Sequence, residues 1–183
     1  MKLSIFLKGN ELKIFVAVLL TALASGCAST YQDPRPLGVQ QAELATSLKE
    51  LSGQYDVIDA RNDFYSFTKF EAKALIVSRQ ENVARFSLIG KEKTITIDGN
   101  RCSGRIGADR ISPRLYCDGQ KVGFFAPVVE LATKDYEVTL NGGLLGGQEA
   151  MPVKTGDYLF SFFESGSGRP HYYLLKRRSA VTE

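Results

Sequence analysis

The sequence predicts an all-β domain, an antiparallel meander closed into a barrel or a sandwich, with one short helix and an N-terminal tether ahead of it. Three observations lead there. Past Ser52-Gly53 the chain breaks into short runs rich in aromatic and β-branched residues, punctuated by Gly, Asn and Asp about every ten residues. Asp98-Gly99-Asn100 and Asp118-Gly119 stand between such runs as hairpin turns, where positive φ is cheap only for Gly, Asn or Asp. Connections this short leave no room for crossover helices, which excludes a parallel doubly wound sheet. A meander of this length must close on itself or fold over to bury one face, and a barrel is the preferred form.

Composition narrows the chemistry. The 183 residues are 44% hydrophobic with 17 Gly, as suits one globular domain with appendages. Trp is absent and His171 is the single histidine, so His-based metal sites and triads have one residue to draw on. No nucleophile-with-base spacing or carboxylate cluster picks out a catalytic set; Asp56 and Asp59, for example, read as an ordinary polar strand face. Neither catalysis nor a metal nor a cofactor is expected.

The first element is residues 1–26. Lys2, Lys8 and Lys13 precede or flank an apolar stretch, Ile14 to Ala24, that ends in small residues, the layout of a secretory leader. Eleven helical residues reach only about half of a ~30 Å hydrocarbon core, which disfavours a permanent span. Leu23-Ala24-Ser25-Gly26-Cys27 then resembles the lipobox of bacterial lipoproteins, with its leucine one place earlier than is usual there. The resemblance implies cleavage before Cys27, a diacylglycerol on its thiol and a third acyl chain on its new amino terminus. Two or three chains anchor a protein stably where one holds marginally. Ala28, rather than Asp, resembles cargo sorted to the outer membrane, facing the periplasm. With Lys2, Lys8, Lys13 and Glu11 set aside, the mature chain is near +1, so the basic character of the precursor does not indicate a nucleic-acid partner.

Residues 27–38 form the tether, because Pro34 and Pro36 block regular structure and favour extended geometry. Residues 39–51 form the helix, with Leu44, Leu48 and Leu51 at i, i+4, i+7 and Gln40, Gln41, Glu43, Lys49 and Glu50 for the wet side. Its leucines are expected to close one end of the domain that follows.

Residues 52–178 form the β domain, ahead of a tail at 179–183. Its expected strands are Gln54–Asp59, Phe64–Phe70, Ala72–Ser78, Asn82–Ile89, Lys93–Ile97, Arg101–Ile106, Arg110–Cys117, Lys121–Phe125, Tyr136–Asn141, Gly156–Phe163 and His171–Lys176. The order Leu51-Ser52-Gly53-Gln54-Tyr55, a helix followed by Gly-x-aromatic, resembles the opening strand of calycins such as lipocalins, with Tyr55 where that family has Trp. The resemblance implies that Arg177 or Arg178, past the last strand, packs over the Tyr55 ring. It implies no ligand.

Once Cys27 is acylated, Cys102 and Cys117 remain as an even pair on adjacent strands in an oxidising compartment, and a disulfide is expected. The stapled segment carries Arg101, Arg105, Arg110 and Arg114, the densest cationic feature of the mature chain. Arginine forks of this kind suit an anionic envelope component such as lipopolysaccharide phosphates or peptidoglycan carboxylates; the same arginines also read as a solvated strand face. Asn141 to Gln148, rich in Gly, lacks the Lys-Ser/Thr of a phosphate loop and reads as a bent hairpin or bulge.

In Tyr158 to Phe163 and His171 to Leu175 both strand faces are largely apolar, so something must cover the outer one: the helix, which is the simplest assumption, another subunit or a ligand. Were the barrel hollow, Tyr55, Tyr158, Phe160, Phe162 and Tyr173 would line the cavity, and His171 could donate to its occupant. Three functions therefore stand beside one another: a membrane-tethered binding or structural module with an envelope protein, lipopolysaccharide or peptidoglycan as partner, a lipocalin-like carrier of small apolar molecules, and an enzyme. The first is the best supported.

Overall fold

Helix α1 (Leu37–Leu51) begins directly behind Pro36, whose carbonyl accepts from the amides of Val39 and Gln40 at 3.0 and 3.2 Å. The computed structural model describes residues 33–62, 71–104, 113–119, 124–141, 148–164 and 170–179. The helix starts two residues earlier than its leucine spacing predicts and ends where Ser52 turns extended, its amide still bonded to the Leu48 carbonyl at 3.1 Å. Leu48 and Leu51 are buried in the barrel core and Leu44 packs against it. As expected, the helix closes one end of the domain, resting on strands from the β2–β6 half of the barrel. Among the described residues no helix is long and apolar enough to cross a membrane.

Among the described residues ten strands follow: β1 (Gly53–Asn62), β2 (Ala72–Gln80), β3 (Val83–Gly90), β4 (Thr94–Ser103), β5 (Arg114–Gly119), β6 (Phe124–Leu131), β7 (Tyr136–Asn141), β8 (Gln148–Val153), β9 (Tyr158–Glu164) and β10 (Pro170–Arg177). Eight form a closed antiparallel barrel in the order β1-β2-β3-β4-β5-β6-β9-β10, with β10 returning to β1. Closure leaves no barrel strand with an unpaired edge. Alternation explains why the sheet closes. Ala84, Phe86 and Leu88 on β3, Ile95 and Ile97 on β4, Leu115 and Cys117 on β5, and His171, Tyr173 and Leu175 on β10 are all buried at every second position. The barrel form of the expectation is the one observed.

Several expected boundaries need correction. Asp98-Gly99-Asn100 is not a turn: β4 runs straight through it as one strand, with a register shift between Gly99 and Cys102. Glycine serves there for close approach, since a Cβ would lie 2.8–2.9 Å from the Ala84 carbonyl oxygen, the Cys102 sulfur and the Cys117 Cβ. Asp118 and Gly119 likewise belong to β5, and the connection to β6 lies beyond them. Strand β6 does not stop at Phe125 but crosses Pro127, which a bulge tolerates; the register shifts between Phe125 and Val128, and Ala126 takes φ 52°. Strand β8 is not among the expected strands; its buried Met151 and Val153 alternate with exposed Ala150 and Pro152. The expected strand Phe64–Phe70, the ends of two others at Ile106 and Arg110, and the glycines at 142–147 lie outside the described residues.

The cover over the outer face of β9 and β10 also differs from the expected helix. Strands β7 and β8 pair as a separate two-stranded sheet, an excursion between β6 and β9. Their Met151 and Val153 bury against Leu159 and Ala132, with Tyr136, Val138, Tyr172 and Leu174 packed around this second core. Helix α1 already commits its leucines to the barrel interior, and one apolar stripe cannot serve two faces.

Asp135 fastens the base of this excursion. Its carboxylate accepts from the Thr155 amide and hydroxyl at 2.8 and 2.9 Å and from Lys154 Nζ at 3.1 Å. The Thr155 amide, then the Lys154 and Thr155 side chains, push its pKa down to about 2. A depressed carboxylate pKa favours the folded form above the unfolded value near ~4 and ceases to do so as pH falls through the folded one. The Thr155 amide resonance should therefore titrate with a midpoint near 2, and Asp135→Asn should abolish that titration. A midpoint near the ordinary aspartate value would show the clasp to be open in solution.

Candidate functional site

Three places could carry function: the aromatic interior, the arginines of the stapled strands and the closure where α1 meets β1 and β10. Tyr55, Phe160, Phe162 and Tyr173 are buried, and Tyr158, half-buried, has its ring 5.1 Å from that of Tyr55. Phe160 is central: its ring lies 5.5 Å from Phe86, 5.6 Å from Phe162 and 6.1 Å from Tyr173, within the range of favourable aromatic pairs. Phe162 also stacks on Tyr173 at 5.9 Å and on His171 at 4.9 Å. The structure thus brings all five expected aromatics together, but against one another. Phe86 on β3, outside the expected group of five, completes the stack. His171, the second residue of β10, is buried beside Phe162.

The stapled strands look different. The Cys102 and Cys117 sulfurs are 2.00 Å apart, a disulfide joining register partners on β4 and β5. Arg101 pairs with Asp118 at 2.8 Å on the outside of the barrel. Arg114 pairs with Glu130 at 3.2 Å, with only 15% of each side chain exposed, and Tyr136 donates to the other oxygen of Glu130 at 2.8 Å. Arg114 and Glu130 are cross-strand partners, so this cluster ties β5, β6 and β7 together. Arg114 stands four places along β5 from Asp118, roughly 13 Å at ~3.3 Å per residue, so Arg101 and Arg114 do not form one fork. Arg105 and Arg110 lie outside the described residues. Glu130 was invisible as a partner in the sequence because the β6 bulge sets its register.

At the closure, Tyr55 donates its hydroxyl to the Leu51 carbonyl at 2.8 Å, and burial pushes its pKa up to about 12, so the phenol stays protonated. Arg177 holds its guanidinium 6.0 Å from the Tyr55 ring centre and donates to the Glu50 and Ser52 carbonyls, each at 2.8 Å. One cation therefore satisfies two carbonyls at the negative end of α1 while resting against the first strand's aromatic ring. Arg178 turns instead to Asp56, at 2.7 Å. Of the two arginines expected near Tyr55, the structure selects Arg177.

Arg177→Ala should cost about 1–2 kcal/mol in urea unfolding, the low side for charge-assisted bonds because the side chain is exposed. Arg177→Lys should recover less than half, since one ammonium cannot reproduce a planar fork. Full stability of the alanine variant would show the closure to be incidental.

Among the described residues, no group of three or more His, Cys, Asp and Glu side chains has a geometry suited to a metal ion. Comparison with protein-family models, with curated proteins and with solved structures returns no match.

Proposed function

We propose that this protein is a lipid-anchored lipoprotein of a bacterial cell envelope, tethered through Cys27 to the outer membrane and facing the periplasm, whose barrel is a non-catalytic binding or structural module. The observation that carries the reading is Leu23-Ala24-Ser25-Gly26-Cys27, placed behind a charged and apolar leader and ten residues ahead of helix α1, which leads into the barrel. The Cys102–Cys117 disulfide suits the oxidising compartment that the reading requires. The packed aromatic interior supports a module that works at its surface, because a carrier of small apolar molecules needs a cavity of several hundred Å³ where these rings meet. The Arg177–Tyr55 closure supports a calycin-like origin for the barrel without bringing a ligand with it.

The test has two arms. In cells, Cys27→Ser should lose incorporation of labelled palmitate and wash from membranes in buffer, and inhibiting the lipoprotein signal peptidase should accumulate precursor. Crosslinking in intact cells should then attach the mature barrel to an envelope protein or polymer. A mature protein with an unmodified amino terminus that washes away would end the anchored reading. Stoichiometric apolar material in native mass spectra would replace the module with a carrier.

A further inference from the structure

Leu37 is 73% exposed and Val39 44% exposed, both in the first turn of α1. The position of Leu37 is informative because it continues the heptad spacing of Leu44 and Leu51. Leu44 packs against the barrel core and Leu51 is buried in it, whereas Leu37 repeats that spacing two turns before Leu44, beyond Gln40 and Gln41, and Val39 lies on the other side of the same exposed helix end. The overhanging turn carries no acidic residue, and Glu43, the first acid to follow, is paired with Arg35. The Pro36 carbonyl takes up the Val39 and Gln40 amides and the Arg35 carbonyl takes the Gln40 side chain, which lowers the cost of bringing this turn toward an apolar phase.

Resting on the anchored reading above, we propose that Leu37 and Val39 form a membrane-contact element that enters the interfacial region of the bilayer holding the Cys27 acyl chains. Chain length places lipid within reach. The ten residues from Cys27 to Leu37 span at most ~35 Å even when fully extended. A tether of that length keeps the turn at a local concentration near the millimolar range, so two side chains suffice for contact even though they would not hold a free protein on a membrane. A second copy of the chain fits less well as the cover. Stable interfaces bury about 1,200 Å² or more, and two side chains supply a small part of that.

The experiment uses acylated full-length protein in vesicles of phosphatidylethanolamine and phosphatidylglycerol, with an environment-sensitive fluorophore attached through Leu37→Cys. The same fluorophore attached through Pro152→Cys, on the exposed side of β8, is the reference. Contact predicts blue-shifted emission at position 37 and at least a threefold lower quenching by aqueous iodide than at position 152. Val39→Asp should reverse most of both effects while the protein still pellets with the vesicles. Equal emission and quenching at the two positions in pelleted protein would overturn the proposal and leave the anchor standing. Protein that fails to pellet would overturn the anchor and the contact with it. A shift that follows protein concentration in detergent without vesicles would assign the turn to a second copy and overturn the membrane assignment.

Discussion

Phe160→Ala should lower the stability of the barrel by about 3–5 kcal/mol, the range for truncating a buried phenylalanine. The ring is fully buried and meets Phe86, Phe162 and Tyr173 at once, so no single neighbour can move in to refill the space. A natural domain has roughly 5–15 kcal/mol in total, and the variant should therefore unfold at a much lower urea concentration with an unchanged slope. Phe160→Leu should cost distinctly less, because most of the volume is kept. The pair also separates two functions. If the interior is only a core, the leucine variant should crosslink to the same envelope partner with the same yield as the native protein. If the interior carries an apolar molecule, changing its central ring should alter what co-purifies. A near-neutral Phe160→Ala would contradict the packing around that ring.

Much of this architecture is legible in the residue order, and the reasons differ from element to element. Alternation at Ala84, Phe86 and Leu88 or at Tyr173 and Leu175 is enforced by the pleat, so strand identity is local information. The leucine spacing of α1 is local too, and it places the helix correctly over one end of the barrel. The misreadings came where glycine and proline have two uses. Gly99 looks like a turn residue beside Asp98 and Asn100, but its lack of a side chain is needed for contact with Cys102 and Cys117, a fact of tertiary approach. Pro127 looks like a strand terminator until the β6 bulge accommodates it. The doubly apolar faces of β9 and β10 announced a cover without identifying it, because which element lies over a face is settled by competition for apolar stripes across the whole chain. Of the candidate site residues, the aromatics were readable as a group from strand parity, whereas the partners of Arg101 and Arg114 depend on registers that sequence does not fix.

Replacing both Cys102 and Cys117 by alanine should cost about 3 kcal/mol, the chain-entropy value for a loop of this size. The closed loop spans a sequence separation of 15. The location of the staple makes its loss more informative than that figure. Immediately past Cys102 and Ser103, Gly104 lies so close beneath α1 that a Cβ would collide with the Glu43 carbonyl, and its own carbonyl accepts from Ser47 Oγ at 3.1 Å. The disulfide fixes β4 against β5 at the point where β4 has just passed its bulge, and so it fixes the seat on which the helix rests. Without it, amide exchange should accelerate in α1 and at the β4–β5 pairing while the β9–β10 ladder, which holds neither cysteine and lies outside the half of the barrel on which the helix rests, keeps the protection set by global unfolding. A merely entropic staple acts through the unfolded chain and would raise exchange uniformly wherever global opening dominates. Selective loss at α1 would instead mean that the bond also holds the helix in place in the folded protein. Unchanged stability after reduction with the thiols alkylated would remove both roles.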